Sequence, residues 1–273
     1  MVSIVYMVAG MSSRFGGKIK QFAKVGSSGE TLIEISIKQA IKAGFNKIIF
    51  VVGEKTEKPF KEMFGNEYEG TPIKYALQTF DPNTRDKPWG TTDALVSAKD
   101  IINENFVVCN GDDIYGEDAF RTAYDFLKNN NSGIAIGYKL KNILPGKGTA
   151  NRGLFQIDNN GNVTSIEEIL GISQENFKEK NLTENSLCSM NLFGLPKDVL
   201  PHLKKTLDDF KEKNKKDRKI ECYLPVELGK LIKEKKLQIK LTQTSGKWFG
   251  ITNPDDEEIL REQLKSLAQH RAN

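Results

Sequence analysis

Apolar and polar residues follow two different rhythms along the first half of the chain. VSIVYMV (2–8), KIIFVV (47–52), IKYAL (73–77), NFVVCN (105–110) and GIAIGY (133–138) are short, nearly unbroken apolar runs rich in β-branched side chains. Such runs, bounded by turn residues, read as strands buried on both faces. Between them the spacing of apolar positions changes to three and four. Residues 30–43 carry apolar side chains at 32, 33, 37, 40 and 41 and stop at Gly44, a helical stripe with its terminator. Residues 54–64 ended by Gly65, about 91–103, and 117–130 read as further helices. This alternation predicts an α/β fold, a doubly wound and mostly parallel sheet with helices on both faces. Ligands of such sheets bind at the carboxyl ends of the strands. The loops 9–22, 78–90 and 110–116 each follow a predicted strand and are therefore the candidate binding loops.

The second half changes character. GLFQIDNNGNVTSIEEI (153–169) reads as a strand, an Asn/Gly turn and a strand, the pattern of a hairpin. SLCSMNLFGLP (186–196) and LQIKLTQT (237–244) are further strands, residues 196–219 a charged helix, and residues 255–271 a terminal helix. That last helix has acids in its first turn, where the helix dipole favours them. No repeat or low-complexity linker separates the halves, so the second is expected to be integral with the first.

Composition narrows the function classes. The 273 residues are 38% hydrophobic and 28% charged, which is globular rather than disordered. A net charge of +4 is too small to imply a nucleic-acid or membrane partner. Lys204 to Lys219 holds eight basic and four acidic residues. With Phe210 its one aromatic, that stretch reads as a solvated face. MVSIVYMVAG is too short to span a bilayer and lacks a basic flank, so a cytoplasmic protein is expected. The sparse cysteines Cys109, Cys188 and Cys222 read as reduced, buried thiols. The two histidines, His202 and His270, sit in polar C-terminal contexts. Thiol-protease, zinc-hydrolase and Ser-His-Asp readings are therefore disfavoured.

Four segments carry candidate chemistry. In AGMSSRFGGKIKQF (9–22) small residues let backbone N–H groups approach an anion, and Arg14, Lys18 and Lys20 supply charge. It lacks the GK[ST] ending of a P-loop and is not a dinucleotide GxGxxG. In NGDDIYG (110–116) adjacent carboxylates at a strand end suit a hard cation such as Mg²⁺; an Asp capping the next helix is the alternative. In QTFDPNTRDKPWGTTDAL (78–95) Gln78 is a donor–acceptor side chain at a strand end, Gly90 permits close backbone approach, and Trp89 serves as an anchor. Loops of this length inside a domain are usually functional. In SGKWFGITNPDDEE (245–258) Trp248 and Phe249 pack, and Asn253 or Asp255 caps the last helix.

Taken in order, these segments resemble the sugar-1-phosphate nucleotidyltransferases, the NDP-sugar pyrophosphorylases. AGMSSRFGGKIKQF is similar to the family's LAGGxGTRL…K signature, KPWGTTDAL to its PxGTAxAL segment, and NGDDIYG to its metal-binding GD segment. GMSSRFGGKIKQFAKVGSSGETLIEIS…AGFNK further resembles a bacterial-type branch reading GMGSRFGGLKQ…VGPNGETIIDYS…AGFDK. The resemblance implies a Rossmann-like, doubly wound sheet with an integral α+β sugar-binding half. It implies a single domain, with a nucleotide-binding half at 1–125, a sugar-phosphate-binding half at 126–254 and a C-terminal helix at 255–273.

Residue by residue, Arg14 resembles the arginine that holds the triphosphate and Lys20 the lysine that neutralises the transferred phosphoryl group. Ala9, Gly10, Met11, Ser12 and Ser13 lie in the nucleotide loop, and Gln78, Gly90 and Thr91 where members contact the base. Asp112 matches the magnesium ligand, with Asp113 adjacent. Gly153 and Glu168 resemble sugar-contacting positions. Three departures stand out. Ser12 replaces a loop glycine. EEIL (167–170) replaces the family's EKP, so the lysine for the sugar phosphate is missing, and Arg152, Lys139 or Lys247 are the candidates to replace it. Gly250 occupies the usual second-metal aspartate position, leaving Asp255 or Asp256 to serve.

The implied reaction joins an NTP, UTP or dTTP favoured, to a sugar-1-phosphate with Mg²⁺ as cofactor, releasing pyrophosphate. The partners are then the two substrates, with no nucleic acid and no membrane, and a homo-oligomer is compatible with the sequence. Two alternatives stay open: a cytidylyltransferase acting on phosphocholine or a polyol phosphate, and a non-catalytic nucleotide-binding subunit.

Overall fold

The first apolar run forms β1 (Ser3–Met7), every residue of which is buried. Ile4 and Tyr6 join one core cluster and Val5 and Met7 another, because successive side chains of a strand point to opposite faces. The computed structural model describes residues 1–10, 18–145, 148–251 and 256–272, with side chains up to residue 266. Within them follow α1 (Leu32–Ala43), β2 (Ile48–Val52), α2 (Glu54–Phe64), β3 (Glu67–Tyr68), β4 (Thr71–Leu77), α3 (Thr91–Ser97), β5 (Phe106–Asn110) and β6 (Asp113–Ile114). The second half adds α4 (Glu117–Asn129), β7 (Gly133–Lys139), β8 (Ala150–Ile157), β9 (Val163–Ile172), β10 (Leu187–Leu195), α5 (Leu200–Lys213), α6 (Leu224–Lys233), β11 (Ile239–Gln243), β12 (Phe249–Gly250) and α7 (Asp256–Ala272).

One sheet runs through both halves in the order β11-β7-β10-β5-β1-β2-β4-β3. β1 is parallel to β2 and β5, β2 to β4, and β7 to β11. β10 enters antiparallel between β5 and β7, and its outer part also pairs with β8 of the β8–β9 hairpin. α1, α2 and α4 cover one face through Ile33, Ile37, Phe60, Phe64, Phe120 and Leu127. α3, α5 and α6 cover the other through Leu95, Leu203, Leu207, Leu224, Leu228 and Leu231. The α/β expectation of a mostly parallel, doubly covered sheet is met.

Local chemistry sets the element ends. Thr31 accepts from the Glu34 N–H at 3.3 Å while Glu34 Oε2 accepts from the Thr31 N–H at 2.8 Å, a reciprocal cap that satisfies two N-terminal donors of α1. α3 ends at Ser97 rather than about 103. Past it the chain turns, and Lys47 Nζ donates to the Ile101 carbonyl at 2.8 Å. α5 likewise stops at Lys213, short of 219. Its connector, 214–222, packs against the loop 78–90. Arg85, only 2% exposed, donates to the carbonyls of Asp217 and Ile220 at 2.6 Å each, and to those of Lys87 and Pro88 at 3.2 and 3.3 Å. Its guanidinium lies 3.7 Å over the Trp89 ring. The long loop is thus pinned to the connector, and Trp89 is the anchor expected. Among the described residues no helix is long and apolar enough to cross a membrane, and all three cysteines are buried as free thiols.

Candidate active site

β1 and β5 lie side by side in parallel, so the loops that leave their carboxyl ends open on the same side of the sheet. The first loop returns through a short 3-10 turn, Lys20–Phe22. Gln21 is buried and Phe22 packs on Phe60 with ring centroids 4.8 Å apart. These two neighbours anchor the turn and hold Lys20 at the cleft, where its ammonium forms an ion pair with Asp112 Oδ2. Both partners keep about a fifth to a quarter of their side chains exposed, 24% for Lys20 and 21% for Asp112. The ion pair is therefore open to a ligand.

Asp113 differs from its neighbour. It is buried, and its Oδ2 accepts from Asn110 Nδ2 at 2.9 Å and lies 3.1 Å from the Tyr115 hydroxyl. Burial first, and the Asp112 carboxylate second, push its carboxyl up to about 7. The Tyr115 hydroxyl also donates to the Met190 carbonyl at 2.7 Å and accepts the Asn110 N–H at 3.1 Å. The one hydroxyl proton is thus shared between the Met190 carbonyl and Asp113 Oδ2. Neither Asp caps the next helix: the N-cap of α4 is Gly116, with no side-chain cap, so the capping alternative for Asp112 and Asp113 does not hold. Opposite Asp113 in the β6–β12 pair stands Gly250. A Cβ there would meet Asp113 Oδ1 at 2.6 Å and Trp248 Cζ2 at 2.5 Å. A side chain at 250 would therefore require Trp248 and Asp113 to shift.

The far wall belongs to the second half. β8 and β9 set Gly153 opposite Glu168, and β10 sets Ser189 opposite Gly153. Arg152, Gly153, Glu168, Ser189, Met190 and Asn191 face Gly10, Lys20, Asn110, Asp112 and Asp113 across one cleft of about 470 Å³. Asn191 sits at a register shift of β10 with φ of 60°, a left-handed conformation that Asn tolerates better than most residues. Its Nδ2 reaches Asn110 Oδ1 at 3.4 Å, so the two asparagines link the halves.

The cleft gathers Gly10, Lys20, Asp112, Asp113, Arg152, Gly153 and Glu168 from the residues expected, and leaves others out. Met11, Ser12, Ser13 and Arg14, as well as Asp255, lie outside the described residues, and Ala9 adjoins the wall without lining it. Lys247 is exposed, and neither it nor Asp256, the first residue of α7, lines the cleft. Gln78, Gly90 and Thr91 form a separate cluster. Gln78 Nε2 donates to the Gly90 carbonyl at 3.1 Å and to Asp93 Oδ2 at 2.8 Å, and the Thr91 hydroxyl accepts the Leu224 N–H at 2.8 Å. Lys211 Nζ holds the other Asp93 oxygen at 2.5 Å. Gly90, at φ 97°, lies so close to Cys222 that a Cβ would meet its backbone at 2.8 Å, so this glycine serves packing.

Asn110, Asn191 and Trp248 line the cleft without having been singled out for binding. The signal for Asn191 was present: a polar residue interrupts the otherwise apolar run SMNLFG. Among the described residues no three His, Cys, Asp or Glu side chains converge, so no all-protein metal cage is built. Asp112 and Asp113 at a strand end instead match a hard cation that takes one or two carboxylates and completes its shell with phosphate oxygens and water.

UTP–glucose-1-phosphate uridylyltransferase AglF of Haloferax volcanii is 31% identical to the chain over 87 residues, 32% of this chain and 32% of that protein. The match thus spans about a third of that relative's length. Two solved structures share the architecture over nearly their whole length. A protein described as a glucose-1-phosphate thymidylyltransferase from Bacillus anthracis has a TM-score of 0.71 at 15% identity, covering 97% of this chain and 95% of that one. The inositol-1-phosphate CTP transferase from T. maritima has a TM-score of 0.68 at 15% identity, covering 97% and 96%. At such identities the likeness shows the fold. Residues 17–256 match the nucleotidyl transferase family, and the chain, with its strand-end cleft, belongs to that family of enzymes.

Proposed function

We propose that the enzyme transfers the nucleotidyl group of an NTP, UTP or dTTP favoured, to a sugar-1-phosphate, releasing pyrophosphate in a magnesium-dependent reaction. The observation that carries this reading is the single cleft joining Lys20 and Asp112 to Gly153, Glu168 and Asn191. An ion pair of phosphate-handling type meets a wall of small and polar residues sized for a sugar. The sheet common to both walls supports one domain with its nucleotide half at 1–125 and its acceptor half at 126–254.

The acceptor's phosphate oxygen is already anionic, so attack on the α-phosphorus needs no general base. Catalysis then consists of positioning and charge neutralisation. Lys20 stabilises the charge developing at the α-phosphate, and Arg14 holds the β/γ-phosphates through its planar fork. Asp112, with Asp113 behind it, would hold Mg²⁺, which neutralises the triphosphate and the leaving pyrophosphate. Lys20 and Asp112, paired with each other at the cleft, are the groups that would turn to the substrate in these roles.

The proposed base preference rests on the family resemblance at Gln78, a buried residue outside the described cleft wall. Both protons of its Nε2 face acceptors, Gly90 O and Asp93 Oδ2, so the amide orientation is forced and only Oε1 is left to meet a base. That acceptor suits the N3–H of uracil or thymine; cytosine could meet it only through its N4 amino group. Pyrophosphate release across the four NTPs, with a panel of sugar-1-phosphates and alcohol phosphates, tests the reading. Turnover of UTP or dTTP with a sugar-1-phosphate supports it. Turnover confined to CTP with phosphocholine or a polyol phosphate, or tight NTP binding with no release on any acceptor, overturns it.

A further inference from the structure

Among the described residues the apolar interior divides into three clusters, two of which cover the faces of the sheet. The third is small. Its buried members are Ala23, Val25, Leu32, Ile114, Ile251 and Leu260. Several of them neighbour the chemistry. Ala23 stands three residues after Lys20, Ile114 two residues after Asp112, and Ile251 lines the cleft. Leu260 comes from α7, which begins at residue 256, where the family match ends. Leu260 is 3% exposed, and Leu264, one helical turn on, packs against the same cluster, whereas Ile259 is 58% exposed. α7 thus presents one apolar stripe to the segments that carry Lys20 and Asp112.

A polar contact adds direction to this packing. Arg261 Nη2 donates to the Lys24 carbonyl at 2.8 Å, and Nε to the same oxygen at 3.3 Å. Two donors in one rigid plane fix where that carbonyl points. From Lys24 the restraint runs back to Lys20 through short links. The Ala23 carbonyl accepts the Leu32 N–H at 2.9 Å, and the Ala23 N–H donates to the Lys20 carbonyl at 3.1 Å. The Phe22 N–H closes the turn on the Ile19 carbonyl at 2.9 Å. On the other side Ile114 pairs with Phe249 across β6 and β12. One small cluster therefore grips the segments of both members of the Lys20–Asp112 ion pair.

We propose that α7 is a clasp that sets the spacing of Lys20 and Asp112, with Leu260 and Arg261 as its positioning residues. The inference rests on the nucleotidyl-transfer reading, in which Lys20 acts on the α-phosphate and Asp112 on the cation. Neither Leu260 nor Arg261 lines the cleft, so both act through the Lys20 turn rather than on a substrate. An interaction made only in the transition state changes kcat and leaves substrate binding alone. Misplacing such a group by about 1 Å can cost ~10²-fold in rate. A helix kept only for stability would leave the kcat of the folded enzyme unchanged.

Substitutions on the two sides of α7 test the clasp. In steady-state pyrophosphate release, Arg261→Ala should lower kcat about tenfold and leave KM for both substrates near the wild-type values. Arg261→Lys keeps a charged donor and should recover part of the loss. Leu260→Ala should lower kcat and the melting temperature together, whereas Ile259→Ala, on the exposed side, should change neither. NMR of lysines carrying isotope-labelled methyl groups, introduced by reductive methylation, gives a readout free of turnover. The Lys20 signal, identified by its loss in Lys20→Arg, should move in Arg261→Ala toward its position in Asp112→Asn, where the ion pair is broken. An unmoved Lys20 signal in both Arg261→Ala and Leu260→Ala overturns the clasp. So does an unchanged kcat in an active enzyme, or a kcat loss that Ile259→Ala equals. A moved signal in a protein that releases no pyrophosphate on any acceptor upholds the clasp and overturns the activity reading.

Discussion

Arg85→Ala should destabilise the protein more than any surface change, and the loss can be worked from the contacts. Arg85 is 2% exposed and reaches four carbonyls, two of them at 2.6 Å. A hydrogen bond from a charged donor contributes about 1.5–3 kcal/mol, and each stranded buried carbonyl costs about 1–3 kcal/mol. Stacking on Trp89 at 3.7 Å adds roughly 0.5–2 kcal/mol. Against this stands the desolvation of the guanidinium, several kcal/mol, which the truncation recovers. The net expectation is about 4 kcal/mol. At about 2–4 °C per kcal/mol for a chain of this size, the melting temperature should fall by roughly 8–16 °C. Arg85→Lys retains the charge, but one ammonium cannot span carbonyls on both segments, so it should lose about half as much. Calorimetry and urea unfolding measure both. A loss below about 1 kcal/mol for Arg85→Ala would refute the claim that this residue pins loop 78–90 to the connector 214–222.

Further outcomes follow from the site. Lys20→Ala should lower kcat ~10²-fold or more, the scale of one charge-stabilising donor; unchanged turnover removes Lys20 from the chemistry. Asp112→Asn should abolish most Mg²⁺-stimulated activity while stability moves by less than about 1 kcal/mol, since the Lys20 pair is partly exposed and no helix cap is lost; a large fall in melting temperature would contradict this. In Asp93→Asn the single remaining oxygen is drawn to Lys211, the amide NH₂ turns to Gln78, and the Gln78 amide rotates. Preference for UTP over CTP should narrow by roughly tenfold, the worth of one hydrogen bond; an unaltered preference shows that Gln78 does not read the base.

The strands of the sheet were legible because residues buried on both faces leave continuous apolar runs, as in KIIFVV and FVVCN. Helix α1 was legible because apolar positions 32, 33, 37, 40 and 41 form one stripe that stops at Gly44; its Thr31–Glu34 cap was not read. Helix α6 was not anticipated: its Pro225 falls in the first turn, where the missing N–H costs nothing, and lysines crowd its end. The binding loops could be located because they follow strands, but not what their side chains do. Gln78 and Arg85 gain their meaning from residues brought back by the fold: Arg85 bonds carbonyls 132 and 135 positions away. Gln78 is oriented by Asp93, and Lys211, 118 positions beyond Asp93, holds that carboxylate. Lys247 and Asp256, both near a candidate motif, do not line the cleft.

The central claim is that one cleft carries an NTP and a sugar-1-phosphate together. Its most direct measurement is mass spectrometry of the products formed with UTP or dTTP, a sugar-1-phosphate and Mg²⁺, alongside pyrophosphate quantification. The account predicts a product whose mass equals sugar phosphate plus nucleoside monophosphate less water, equimolar with pyrophosphate, and its loss in Lys20→Ala. Release of monophosphate or pyrophosphate without any sugar-linked nucleotide would contradict it.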